Sequence, residues 1–236
     1  VFMENVEYSV RSESQELGTI VKPPAIGGKV AIAGRVWVVE EVDHKKRAIY
    51  VSLIKGNIPA YFGEVPGDIH THVLEKMKEV LCTNATYMYL MNNAKARLDQ
   101  ARACFDMAKL KDRVLIHLGG NMWALFPWLG SYAFLALERF LKIHCAKELG
   151  LKGLSPVRPY FIQFSMNVSE KEFYKIVCKK ACEYIDPLSL VYEKEVPVFE
   201  KYDEFVPDEL VKKGFAYGVL DIDGMKKRVR EWEKFL

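Results

Sequence analysis

The sequence predicts an α+β protein: a small antiparallel β-barrel module, then a mixed α/β unit with helices packed on a sheet. Three observations carry that expectation. Between Gly28 and Glu64, short runs rich in Val, Ile and Ala are separated by Ala33-Gly34 and by Asp43-His44-Lys45-Lys46, the mark of strands joined by tight turns. From Asp68 the apolar period lengthens to that of a helix. From Arg113 a hairpin pattern gives way to alternating helix and strand.

The module at 1–66 opens with Tyr8, Val10 and Arg11-Ser12, turns at Gly18, and is stiffened by Pro23-Pro24 before the meander strands at 29–33, 35–42 and 47–54. Several short strands bounded by Gly and Pro need closure to hide their edges, which makes a small barrel the natural architecture. Residues 67–112 form a helical connector in this reading. Val73, Met77, Val80 and Leu81 mark a helix at 68–82, and Tyr87, Leu90, Met91, Ala94, Leu98 and Ala101 mark a second at 86–110.

Residues 113–236 make the mixed α/β domain. Strands at 113–118 and 122–126 flank Gly119-Gly120-Asn121, a hairpin-grade turn. A helix at 129–149 begins after Gly130-Ser131 and ends at Gly150. A strand follows at 158–165. Ser169-Glu170-Lys171-Glu172 then matches a capping box and opens a helix at 169–185. Short helices at 207–216 and 224–236 close the chain, and no sequence repeat is apparent.

Composition narrows the functional classes. Half of the 236 residues are apolar and 28% are charged, ordinary for a globular protein with a proper core. No apolar run approaches the roughly 18 residues of a membrane span. Val1 is not an initiator Met and no signal sequence follows, so the chain is expected to be part of a longer protein. The net charge of +3 permits nucleic-acid binding without predicting it. That excess lies in residues 67–150, with eleven basic against eight acidic side chains, while the flanking stretches balance. The five cysteines are scattered without a Cys-x-x-Cys pair; Cys178 and Cys182 are expected to be buried thiols, in a cytoplasmic, reducing setting.

Catalytic motifs are missing where their letters occur. Gly27-Gly28-Lys29 has Pro23 where a phosphate loop needs Gly and Val30 where it needs Ser or Thr. Asp208-Glu209 follows Val206-Pro207 and opens a helix, so it is read as a helix start. His70 and His72 would point apart on a helix, and His117 is read as structural. No catalytic or metal residue is assigned. The candidate site is instead a binding one. Tyr61 and Phe62 leave the last meander strand as stacking aromatics, while Lys45, Lys46, Arg47 and Arg35 are candidates for phosphate contact. Trp37, between Val36 and Val38, is read as core.

Gly34-Arg35-Val36-Trp37-Val38, then Val42-Asp43, then Tyr61-Phe62-Gly63-Glu64 resemble the accessory region that follows the motor of large helicase-related (Lhr-like) DEAD/DEAH-box helicases. The family often has Trp where Phe62 stands. Residues 117–130 and the ending from Lys201 to Leu210, with Leu220-Asp221, are similar to later parts of the same region. The resemblance implies a nucleic-acid-binding accessory domain, with DNA ahead of RNA, lining the path of a translocating strand. It also implies ATP and Mg²⁺ in motor domains upstream of Val1, none in this fragment, and a role in DNA repair. The alternative is a protein-interaction module that recruits a repair partner.

Overall fold

The computed structural model describes residues 7–12, 15–21, 23–24, 26–27, 29–32, 35–54, 68–193, 195–197 and 202–236. The chain is mixed α and β and divides into two compact units, Val1–Gly67 and Asp68–Leu236.

In the first unit, β1 (Tyr8–Ser12), β2 (Gln15–Ile20), β3 (Lys29–Ile32), β4 (Arg35–Asp43) and β5 (Ala48–Ile54) form one sheet in the order β2-β1-β5-β4-β3. The expected antiparallel pattern holds for β1–β2, β3–β4 and β4–β5, but β1 and β5 run parallel. The parity of the chain dictates this: four reversals separate β1 from β5, so these neighbours point the same way. Register shifts at Val10/Arg11 and Val39/Glu41 add twist to the sheet.

The sheet curls into a half-barrel. Gly18 of one edge strand lies so close to the other edge that a Cβ on it would sit 3.1 Å from Ile32 Cδ1. Between the edges, Val10, Val30, Trp37, Val39, Ile49 and Val51 form the core. Trp37 is 6% exposed and donates its indole N–H to the Ile32 carbonyl at 3.1 Å, which satisfies the one polar atom that its burial would strand.

The second unit is built on a four-stranded antiparallel sheet, β6 (Leu115–Gly119), β7 (Met122–Leu125), β8 (Lys152–Val157) and β9 (Phe161–Ser165), in the order β6-β7-β9-β8. Each hairpin is followed by a helix. After β7 come α3 (Ser131–Phe140), a π-helical turn (Leu141–Cys145) and α4 (Ala146–Leu149); after β9 comes α5 (Glu170–Cys182). Gly150 ends the first of these in the left-handed conformation, and Ser169 Oγ caps α5 by accepting from the Glu172 amide at 3.2 Å.

Strand β8 was not expected, because Gly153 and Pro156 are poor strand residues. It is an edge strand, where a proline's missing N–H costs no ladder bond. Two further helices, α1 (Thr71–Cys82) and α2 (Asn92–Met107), precede the sheet. Helix α2 starts later than the spacing of Tyr87 and Leu90 suggested and buries only Arg102 and Phe105. The chain ends with α6 (Asp208–Gly218), α7 (Ile222–Arg230) and a 3-10 turn (Glu231–Phe235). The unit's core runs from Phe105 and Leu110 through Phe134, Phe140, Phe164 and Phe173 to Trp232. Among the described residues, no helix is long and apolar enough to cross a membrane.

Candidate nucleic-acid interface

The turn between β4 and β5 is held in shape from within. Asp43, the last residue of β4, accepts from the Lys45 and Lys46 amides through Oδ1, at 3.0 and 2.9 Å, and its Oδ2 lies 3.6 Å from the Lys46 ammonium. The Lys46 amide, opposed by some desolvation and reinforced by the Lys46 charge and the Lys45 amide, holds the Asp43 carboxyl below its usual value. Arg47 closes the turn with φ 51, a left-handed conformation rare outside glycine. Its carbonyl accepts from the Ser9 amide at 2.8 Å, and Tyr8 Oη meets His44 Nδ1 at 3.0 Å. Three exposed cations thus stand on a fixed backbone.

The expected site residues do not all gather there. Arg35 begins β4, eight residues before Asp43, about 26 Å away along an extended strand. It shares its end of the sheet with Ile54, the end of β5, which lies opposite Val36. Tyr61 and Phe62 lie outside the described residues, as do Gly63 and Glu64. The strand leading towards them ends on the Arg35 side, opposite the basic turn.

The remaining candidates resolve into structural roles, with two corrections. His70 and His72 do not point apart: their ring centroids are 5.0 Å from each other, because His70 is the N-cap of α1 and accepts from the His72 amide. His72 turns to Glu75 at 2.8 Å. Cys178 is buried with Sγ 3.5 Å from the Val229 carbonyl, but Cys182, in the last turn of α5, is exposed. His117 donates from Nε2 to the Gly120 carbonyl at 2.7 Å and packs on Trp123, which stabilises the β6–β7 hairpin. Asp208 and Glu209 occupy the first turn of α6. Among the described residues, no group of three or more His, Cys, Asp or Glu is arranged to hold a metal ion.

Sequence reasoning missed the buried charges of the second unit. Arg139, 6% exposed, makes two bonds of 2.6 Å to Glu195, donates to the Leu190 carbonyl, and lies between the rings of Tyr192 and Phe215. Its hydrogen bonds hold the Glu195 carboxyl low despite partial burial. Glu138 receives Arg158 at 2.8 and 2.9 Å. Arg102 donates to the Val80 and Ala85 carbonyls and so ties the α1–α2 loop to α2. Arg102, Glu138 and Arg139 sit on helices, where a charged side chain reads as solvent-exposed by composition alone.

Comparison with protein-family models, with curated proteins and with solved structures found no match to this chain.

Proposed function

We propose that the chain is an accessory region of a superfamily 2 ATP-dependent helicase and that its first unit contacts single-stranded nucleic acid, DNA ahead of RNA. The observation that carries this reading is the preformed turn of Lys45, Lys46 and Arg47. Cations on a rigid turn lose little conformational freedom when they meet phosphates. In this reading the curled sheet completes a small barrel that walls the strand's path. Tyr61 or Phe62 stacks on a base, and Arg35 supports that end of the sheet. ATP and Mg²⁺ belong to motor domains on the same polypeptide.

The test is fluorescence anisotropy of a labelled oligothymidine with the full chain across a salt series. Replacing Lys45, Lys46 and Arg47 together with alanine is expected to reduce the slope of log K against log salt by about 2, at roughly 0.7 per phosphate contact on a single strand. An unchanged slope defeats the assignment. Phe62→Ala should cost about 1–3 kcal/mol of strand binding with little change in the slope.

A second reading, a protein-interaction module that recruits a repair partner, is favoured by one observation. Residues 83–94, around the α1–α2 loop, carry no charge, and Met88, Tyr89 and Met91 are 99%, 80% and 78% exposed. Aromatic and Met enrichment with charge depletion is the composition of an interface core. Under that reading, Met88→Glu with Met91→Glu abolishes the parent helicase's repair function and leaves strand binding and melting temperature unchanged.

A further inference from the structure

We infer that the second unit carries a strand-binding surface of its own: a groove between the α2–β6 turn and the first turn of α5 that takes the phosphodiester backbone of a single strand. This rests on the nucleic-acid reading above, but on none of the residues used for it.

The groove has a volume of about 390 Å³, and its rim carries Lys109, Arg113 and Lys171. The fold forces these cations outward. Leu110 and Val114 are 6% and 5% exposed and anchor the segment in the core, which leaves Lys109, Lys111 and Asp112 exposed and Arg113 half-buried. The reversal after α2 is made by Lys109 itself, with φ 54, while the Leu110 amide bonds back to the Phe105 carbonyl at 3.2 Å. That is the Schellman arrangement, in which the left-handed position usually belongs to glycine. Lys171 comes from the capped first turn of α5, about sixty positions later in the chain.

Among the described residues, some cations of the unit are paired and others, these three included, are not. Lys175, Lys180, Arg139 and Arg228 each meet a carboxylate. Lys109, Arg113 and Lys171 form no ion pair among the described residues, although Asp112 and Glu170 also line the groove. Glu170 is engaged by the Tyr174 hydroxyl at 3.4 Å. An unpaired cation keeps its full attraction for an incoming anion.

The apolar wall points to a strand rather than an acidic peptide. Phe235 is half-buried, with Tyr174 packed on it at 4.9 Å between ring centroids and the Lys234 ammonium 5.0 Å from its own centroid, and Tyr174 is fixed by its 1% exposure. Cations flanking an aromatic ring hold a single strand by its phosphates and one base. An acidic peptide would use the cations and leave the ring idle.

The experiment uses the full chain and labelled oligothymidine over a salt series. Lys109→Gly with Arg113→Gln and Lys171→Gln is expected to lower the slope by about 2, independently of the β4–β5 turn. Asp112→Asn acts in the opposite direction and tightens binding at low salt by roughly threefold, an effect that damage to the fold does not produce. If wild type binds and the turn variants lower the slope while these groove variants change nothing, the groove assignment is overturned and the helicase reading stands. If wild type does not bind the oligonucleotide, both fall. Displacement by polyglutamate as effective as by unlabelled strand overturns the groove assignment in favour of an acidic peptide.

Discussion

The two units differ in how deep their charges lie. In the first, the ion pairs lie at the surface: Arg11 and Glu16 are about half exposed, and Lys46 beside Asp43 is more exposed still. In the second, beside surface pairs such as Lys76 with Glu79, some charged groups are drawn inside: buried Arg139 meets Glu195, and buried Glu138 receives the partly exposed Arg158. The sizes of the two cores explain the contrast. Among the described residues, the first unit's core cluster has six buried members and the second's has thirty. A large core has helices stacked deeply enough to trap a charged side chain, which must then be paired, as Arg139 is through its two terminal nitrogens while its Nε–H finds no partner among the described residues. A six-residue core has no such depth, so its charges stay in water. They are then available to an external anion.

Unfolding gives the largest test of that contrast. Phe140, fully buried in the second unit, should cost about 3–5 kcal/mol when replaced by alanine. Calorimetry is expected to show two transitions, with Phe140→Ala shifting one and Ile49→Ala the other. A single transition displaced by both variants would break the comparison.

Next in size is the Arg139–Glu195 pair. Glu195→Gln leaves a buried guanidinium without its counter-charge. The carboxylate is about a quarter exposed, so the cost is set at about 1.5–3 kcal/mol rather than that of a fully buried pair. The sign with pH follows from the carboxyl being held low in the folded state. Its contribution is fully present above the unfolded value near 4.5 and is lost as pH falls through the lower folded value. The difference in stability between wild type and Glu195→Gln should therefore be largest near pH 7 and shrink below about pH 4.5. Urea titrations at a series of pH values measure it.

Gly18 tests how tightly the first sheet curls. A methyl group there would press on Ile32 Cδ1, and φ 151 is poorly tolerated by other residues, so Gly18→Ala should cost about 1–3 kcal/mol. Ile32→Val removes the crowded methyl and should recover part of that loss, an interaction read by a double-mutant cycle. Simple additivity would mean that the two sheet edges are farther apart.

These residues also mark what a single sequence discloses. The β3–β4–β5 meander was legible because alternating Val and Ile runs and an Asp-led turn are local signals, and so was the Ser169 cap. The parallel β1–β5 pairing follows from parity once the strand order is known, but nothing local announces that order. Strand β8 was hidden by Gly153 and Pro156. Arg102 and Arg139 were hidden because a helix face carrying charge reads as solvated until the packing is known. The groove is the least legible feature: Lys109, Arg113 and Lys171 are brought together only where the first turn of α5 comes beside the α2–β6 segment.

The two basic surfaces have one device in common despite their different settings. Each sets a cation in the left-handed backbone region, Arg47 with φ 51 and Lys109 with φ 54. Glycine would be less strained at both positions, by about 1 kcal/mol for the left-handed conformation, offset in part by the greater freedom glycine has when unfolded. Arg47→Gly and Lys109→Gly should therefore raise stability slightly or leave it level, by roughly 0–1 kcal/mol, each in its own transition. Strand binding should weaken at the same time, with a slope smaller by about 0.7 for each variant. A side chain kept only for its packing would not give both results, because removing it would lower stability. Greater stability with weaker, less salt-sensitive binding is the result expected if these two strained positions hold cations for the sake of a phosphate. Lower stability with unchanged binding would make both residues ordinary turn positions.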